Sequence, residues 1–240
     1  MSNRRAVIGT IVAGVLALGV AGIGILYFAV FAGSSPQKLA LSSPTPSTSG
    51  STAAATSSPG PGTWTIASGS LAGYRVREQL ASLPAPSDAV GRTSAITGTL
   101  TLTQSAGGYS VTAAAFTVDV SKLTSDQTRR DQRIHSQGLE SDRYPTATFQ
   151  LSTPIALPAT AAVGQTIKVS ATGALTIHGV SKTVTIPIDA RLSGSQIELV
   201  GSITFPFSDF GMTPPSIGGF VSVQPNATME FQLNLAYGGA

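Results

Sequence analysis

Residues 165–192 read QTIKVSATGALTIHGVSKTVTIPIDARL, and apolar and polar residues alternate through both halves. Ile167, Val169, Ala171, Gly173, Leu175 and Ile177 occupy every second position of the first half. Val184, Ile186, Ile188, Ala190 and Leu192 do the same in the second. A period of two puts each set on one face of a strand, where a helix would spread it around its axis. His178-Gly179 marks a turn between them, so the stretch predicts antiparallel strands over residues 165–177 and 182–192.

The same rhythm extends in both directions. Ile96, Gly98, Leu100 and Leu102 alternate with threonines, and Gly107-Gly108 turns the chain into a strand over 109–120. Ala147, Phe149, Leu151 and Ile155 share a face within 146–157, and Ile197, Leu199, Gly201, Ile203, Phe205 and Phe207 share one within 196–207. Residues 74–80 and a closing run with Met229, Phe231, Leu233 and Leu235 bring the total to about eight strands. The links between most of them are too short for a crossover helix, which predicts an antiparallel sheet. Eight such strands lose their exposed edges by closing, which favours a barrel over a sandwich. Gly98, Ala147, Ala171, Gly173, Ala190 and Gly201 on the inward faces fit a hollow interior, and they fit close strand packing equally well.

One segment breaks the pattern. Residues 124–149, TSDQTRRDQRIHSQGLESDRYPTATF, hold eight of the 22 charged residues found in 63–240. Thr124-Ser125-Asp126-Gln127 has the form of a capping box, Asp126 and Arg130 stand four apart, and Gly138 can end a turn; a short helix is predicted over 125–137. That helix has little besides Ile134 to bury, so hydrogen bonds from Arg129, Arg130, Asp131 and Arg133 are expected to tie it to the sheet.

The N-terminal quarter reads differently. After residues 1–5, with Arg4 and Arg5, comes an uncharged run of 27 residues, 6–32, longer than the roughly 20 needed to cross a bilayer. A transmembrane helix with a cytoplasmic N-terminus is expected, the alternative being a signal peptide cleaved after Val30-Phe31-Ala32. Residues 33–62 are rich in Ser, Thr, Pro, Ala and Gly and are expected to form a disordered linker of at most roughly 100 Å. The third part, 63–240, then lies outside the cytoplasm, in the cell envelope or secreted.

Chemistry is mostly excluded. There is no cysteine, and 11 Lys and Arg balance 11 Asp and Glu in 63–240, which disfavours nucleic acid. His135 and His178 are the only imidazoles, without HExxH spacing, and no GxSxG elbow or phosphate loop is present. No catalytic residue, metal site or enzymatic activity is expected. His178, in its turn, suits a structural hydrogen bond.

Phe116-Thr117-Val118-Asp119-Val120, then Arg130-Asp131 with Ile134, then Tyr144-Pro145-Thr146-Ala147-Thr148-Phe149, then Gly173-Ala174-Leu175-Thr176-Ile177-His178-Gly179-Val180-Ser181-Lys182 together resemble the YceI-like family over roughly residues 63–235. The resemblance implies an exported, lipocalin-like, eight-stranded antiparallel barrel with a short helical insert, holding a polyisoprenoid chain and performing no reaction. Two departures bear on the head group: residues 70–78 carry no histidine, and Gly138-Leu139 replaces the usual Phe-Phe. On this footing Phe116, Phe149, Leu151, Leu175, Ile186 and Phe205 are the expected apolar wall. Arg130, Arg133 and His135 are the expected contacts at the mouth, for a quinone or a polyprenyl phosphate. Beyond that lipid, the membrane reached through residues 6–32 is the one partner expected. The competing expectation is a barrel filled by side chains, acting as an envelope structural or stress-response module.

Overall fold

Twelve strands, one short helix and a few tight turns make up the computed structural model, which describes residues 35–43, 60–80, 86–158, 161, 164–193, 195–217 and 221–239. The chain divides into two compact units, Met1–Pro36 and Gln37–Ala240. The expected membrane span at 6–32 lies outside the described residues, and no described helix is long and apolar enough to cross a membrane.

The strands are β1 (Gly62–Ile66), β2 (Leu71–Leu80), β3 (Ser87–Thr93), β4 (Ile96–Ser105), β5 (Gly108–Asp119), β6 (Thr146–Leu151), β7 (Ile155–Ala156), β8 (Thr166–Ile177), β9 (Val180–Ser193), β10 (Gln196–Pro206), β11 (Ser216–Ile217) and β12 (Val221–Gly239). Neighbours run β1-β4-β5-β6-β8-β9-β10-β12, and β12 pairs back with β1, closing an all-antiparallel barrel of eight strands. The closure expected from the alternation is therefore present. β8 and β9 form the hairpin anticipated at 165–192, with Ile177 opposite Val180. Its turn residues His178 and Gly179 have φ of 53° and 72°. Two consecutive left-handed residues give the turn whose twist matches its strands, and glycine meets that demand without strain.

β12 is the longest strand, at 19 residues, and serves two partners along one edge. Its last residues pair with β1 and its first with β2, which continues to β3. β3 is then stitched to the end of the β5 segment by backbone bonds between Arg92 and Thr124, 2.9 and 3.0 Å long.

The insert forms an α-helix only over Thr128–Arg133 (α1), followed by a wider π-turn over Ile134–Gly138. The regular helix expected over 125–137 is corrected on both counts. Thr124 is held extended by its bridge to Arg92, so the helix starts later, and Gln127 at its N-cap makes no side-chain cap. The Asp131 carboxylate instead accepts from the Ser125 amide at 2.9 Å and hydroxyl at 2.6 Å. At the other end the amides of Leu139 and Glu140 both reach the Ile134 carbonyl, widening the last turn.

Two adjoining apolar clusters make up the interior. Trp64, Leu100, Leu102, Val111, Leu199 and Leu235 belong to one, Leu175, Ile177, Phe205, Phe207, Phe210 and Met212 to the other, and Phe116 on the first lies opposite Phe149 on the second. At the α1 end His178 is the structural residue expected: its Nδ1 lies 3.2 Å from the Phe210 carbonyl and its ring packs on Tyr144 at 4.4 Å.

Residues 37–43, expected within the disordered linker, contact the barrel. The Ser42 amide and hydroxyl donate to the Glu198 carboxylate at 2.6 and 2.7 Å, and Arg92 donates to the Gln37 carbonyl. At the linker's other end β1 begins at Gly62.

Candidate functional site: the inner wall and its polar end

Strand parity turns one residue in two toward the barrel axis. At three places the register sets an inward glycine directly opposite an inward aromatic: Gly98 with Phe116, Gly201 with Phe231, and Gly91 with Tyr74. A Cβ on these glycines would lie 2.4 Å from the Phe116 ring, 2.5 Å from the Phe231 ring and 2.3 Å from the Tyr74 ring. At Gly173 the Phe149 ring lies 2.6 Å from the same construction. Each ring thus lies close over bare backbone on a neighbouring strand.

Accessibility agrees. Phe116, Phe149, Leu151, Phe231, Met229, Ile203 and Val184 face inward in a closed barrel and are only half-buried. They pack against the two clusters and still keep part of their surface uncovered, as the lining of an incompletely filled barrel would. The small inward residues consequently admit the rings.

One polar group of residues interrupts this wall. Ala72, Tyr74, Val76 and Glu78 share the inward face of β2, and Glu78 is only 8 % exposed. Arg130 of α1 reaches it, Nη2 to Oε1 at 2.7 Å, and also pairs with Asp126 one turn back. Burial works to weaken Arg130 as a base, but Glu78 and Asp126 outweigh it and raise its affinity for the proton. The Tyr74 hydroxyl is buried and has no hydrogen-bond partner among the described residues. Burial pushes its acidity well above the usual tyrosine range, and the Arg130 charge nearby pulls only partly against that. It remains a neutral donor at any physiological pH.

The expected site residues separate into groups. Phe116, Phe149 and Leu151 face inward and are half-buried. Leu175, Ile186 and Phe205 also face inward but are packed, at 2, 2 and 7 % exposure, so they support the wall beneath any ligand. Arg130 stands at the α1 end of the interior, committed to Glu78 and Asp126. Arg133 is half-buried and makes no ion pair or hydrogen bond among the described residues. His135 is turned away into a bond with the fully buried Ser141 hydroxyl. Tyr74, Glu78 and Phe231 were not anticipated as site residues. The signal for the first two was a glutamate and a tyrosine on the apolar parity of β2, and for Phe231 the glycine opposite it, visible only once the register is known.

A model of the YceI-like domain family matches residues 64–235. No curated protein matches the chain in sequence. Among solved structures, a polyisoprenoid binding domain from Saccharophagus degradans implicated in plant cell wall breakdown superposes with a TM-score of 0.54 at 15 % identity, covering 74 % of this chain and 99 % of that one. BcnA of Burkholderia cenocepacia gives 0.49 at 21 % identity, with 68 % and 95 % covered. The YCEI protein of Campylobacter jejuni gives 0.44 at 16 %, with 60 % and 83 % covered. At 15 % identity the first of these bears on the fold alone.

Proposed function

This chain belongs to the YceI-like domain family, and from that premise we propose that its barrel binds and carries an isoprenoid lipid, the tail along the inner wall and the head beside Tyr74. The observation that supports this most directly is the half-buried state of Phe116, Phe149 and Phe231 on the inside of a closed barrel. Each five-carbon isoprene unit taken from water offers roughly 4 kcal/mol gross, at about 0.8 per carbon group, less the cost of ordering the chain. A wall of rings and aliphatic side chains is sufficient for affinity, and a few polar groups then select the head.

The polar end favours a neutral head. Arg130 already faces two carboxylates, Glu78 and Asp126, so a phosphate brought beside it would meet net negative charge. A quinone carbonyl asks only for a donor, which the Tyr74 hydroxyl supplies, and pairing it ends the cost of about 1–3 kcal/mol that a buried unbonded hydroxyl carries. Arg133 is the cation a phosphate head would need, so Arg133→Ala distinguishes the two heads. The uncharged run at 6–32 supports tethering to a membrane, with the barrel on its outer side, where such lipids are found. No chemical step is part of this proposal.

Organic extraction of the purified full chain, followed by mass spectrometry, tests it. An isoprenoid approaching one per chain is expected. A quinone added to lipid-free protein at a hundred times its Kd should add about 2.7 kcal/mol, which raises the melting midpoint by roughly 5–11 °C for a domain of this size. Lipid-free protein whose midpoint ignores added quinone would leave the filled, ligand-free barrel as the explanation.

A further inference from the structure

Four buried polar atoms have no hydrogen-bond partner among the described residues: Trp64 Nε1, the Tyr74 hydroxyl, His178 Nε2 and Arg191 Nε. The Arg191 guanidinium is otherwise engaged with Glu198 at 2.7 Å, and His178 Nε2 faces the Glu140 carboxylate at 3.4 Å. The other two belong to the inner wall, and the register separates them. Tyr74 stands opposite Met229 of β12 and Trp64 opposite Tyr237, with Phe231, Leu233 and Leu235 inward between those partners. Positions 229 and 237 are eight residues apart, a span of at most roughly 27 Å along a strand. The interior therefore holds an unpaired donor toward each end.

Trp64 is 3 % exposed, and every other buried member of its cluster is an alanine, valine, leucine or isoleucine. Its ring meets Tyr237 edge-on at 5.4 Å, but the Tyr237 hydroxyl donates to the Pro61 carbonyl instead. A buried indole N–H ordinarily finds an acceptor, because leaving it unpaired is costly. A lone water is poorly held in such a place, since it needs about two to four polar partners of its own. An oxygen already carried by an apolar molecule needs only this one, because its own chain anchors it.

We infer that Trp64 is a second polar subsite of the interior, and that the molecule it selects carries an acceptor oxygen at the end of its tail, remote from the head. This inference rests on the barrel's binding an isoprenoid lipid, and it narrows which one. A quinone with a plain tail satisfies one donor, Tyr74 or Trp64, whichever way round it lies. A lipid with an acceptor at each end satisfies both. The terminal group is a carbonyl, ester or ether, because a hydroxyl would bring a donor of its own among side chains that offer it no acceptor.

Two probes test it: a benzoquinone with an isoprenoid tail long enough to span the two donors, and the same molecule with its last branch replaced by a methyl ketone of equal size. Each is titrated into lipid-free full chain in detergent micelles. Trp64 is the only tryptophan, so its indole N–H gives a single resonance in 15N–1H spectra. The ketone probe should bind wild type about fivefold more tightly than the plain probe, relative to the same ratio in Trp64→Phe. Partition into the micelle is common to both proteins and cancels. The ketone probe should also move the indole resonance downfield, as a new hydrogen bond does, and the plain probe should not. Equal ratios in wild type and Trp64→Phe would overturn the subsite. A downfield shift with the plain probe would overturn it too, since the quinone head would then lie at Trp64. Should Trp64→Phe fail to fold, the resonance decides alone. If neither probe raises the melting midpoint, lipid binding itself falls, and this subsite with it.

Discussion

Gly201→Ala tests how the inner wall is built. The added methyl would sit 2.5 Å from the Phe231 ring carbon Cζ and 3.0 Å from the Pro187 carbonyl oxygen. Carbon atoms in ordinary contact are about 3.5–4.0 Å apart, so the ring must retreat by roughly 1 Å or more. Behind it is wall, so it must move toward the barrel interior. Gly201 has no left-handed φ, so backbone strain does not confuse the result. Overpacking of this kind costs about 1–3 kcal/mol, which lowers the melting midpoint by roughly 2–12 °C at 2–4 °C per kcal/mol. A ring driven into the bore should also reduce the lipid recovered by extraction. The decisive measurement is the double-mutant cycle with Phe231→Leu, whose shorter side chain leaves room for the methyl. The two changes should be coupled by at least about 1 kcal/mol, with the Pro187 contact common to both arms and cancelling. Additive effects, or a Gly201→Ala chain that melts with the wild type, would refute the idea that this ring rests on that glycine.

Three further outcomes are expected. Arg130→Ala strands Glu78 without its cation; a fully buried pair would cost 3–5 kcal/mol when broken, and with Arg130 one-fifth exposed about 2–3 kcal/mol is expected in urea unfolding, partly restored by adding Glu78→Gln. Tyr74→Phe removes a buried hydroxyl without a partner and should leave stability unchanged or raise it by about 1 kcal/mol, while weakening quinone binding about tenfold by thermal titration; unaltered binding would remove Tyr74 as the head contact. At Asp88 and Glu198 burial alone would raise the pKa, but hydrogen bonds and charge from Arg77 and Arg75, and from Ser42 and Arg191, hold both below the ordinary carboxylate range. Their stabilisation is therefore complete above that range and lost as pH falls through the lowered values, so melting midpoints should drop steeply only in strong acid, with a shallower slope in Glu198→Gln.

How far the fold could be read in advance depended on burial pattern. β8, β9 and β10 each bury one face and expose the other, and the alternation carries that asymmetry directly, so their bounds were predicted within a few residues. β3 went unnoticed because Asp88, Val90 and Arg92 occupy its outward parity and Ala89 and Gly91 its inward one, which leaves no apolar repeat. β1 is only five residues long, too short for periodicity to register. The helix start was misjudged because a cap signal is local, and the bridge that overrides it joins Thr124 to Arg92. Distance in sequence hid the Ser42–Glu198 contact as well: the two residues are 156 apart. Around the candidate site, the inward direction of Phe116, Phe149 and Leu151 followed from parity, but the direction of His135 did not, because whether an imidazole faces the interior or the buried Ser141 is a matter of one rotamer.

The double service of β12 bears on how the molecule comes into being. β1 and β2 both wait for it, and the pairs Thr63 with Gly239 and Leu71 with Gln232 join points more than 150 residues apart. Until β12 has emerged, a nascent chain presents unpaired edges on β1, β2 and β10 together, open to any other extended chain nearby. Closure of that kind is slow, because the entropy of closing a long loop is lost before any of its contacts form. A chain that stays open until its last strand arrives is also one that can be threaded across a membrane before it folds.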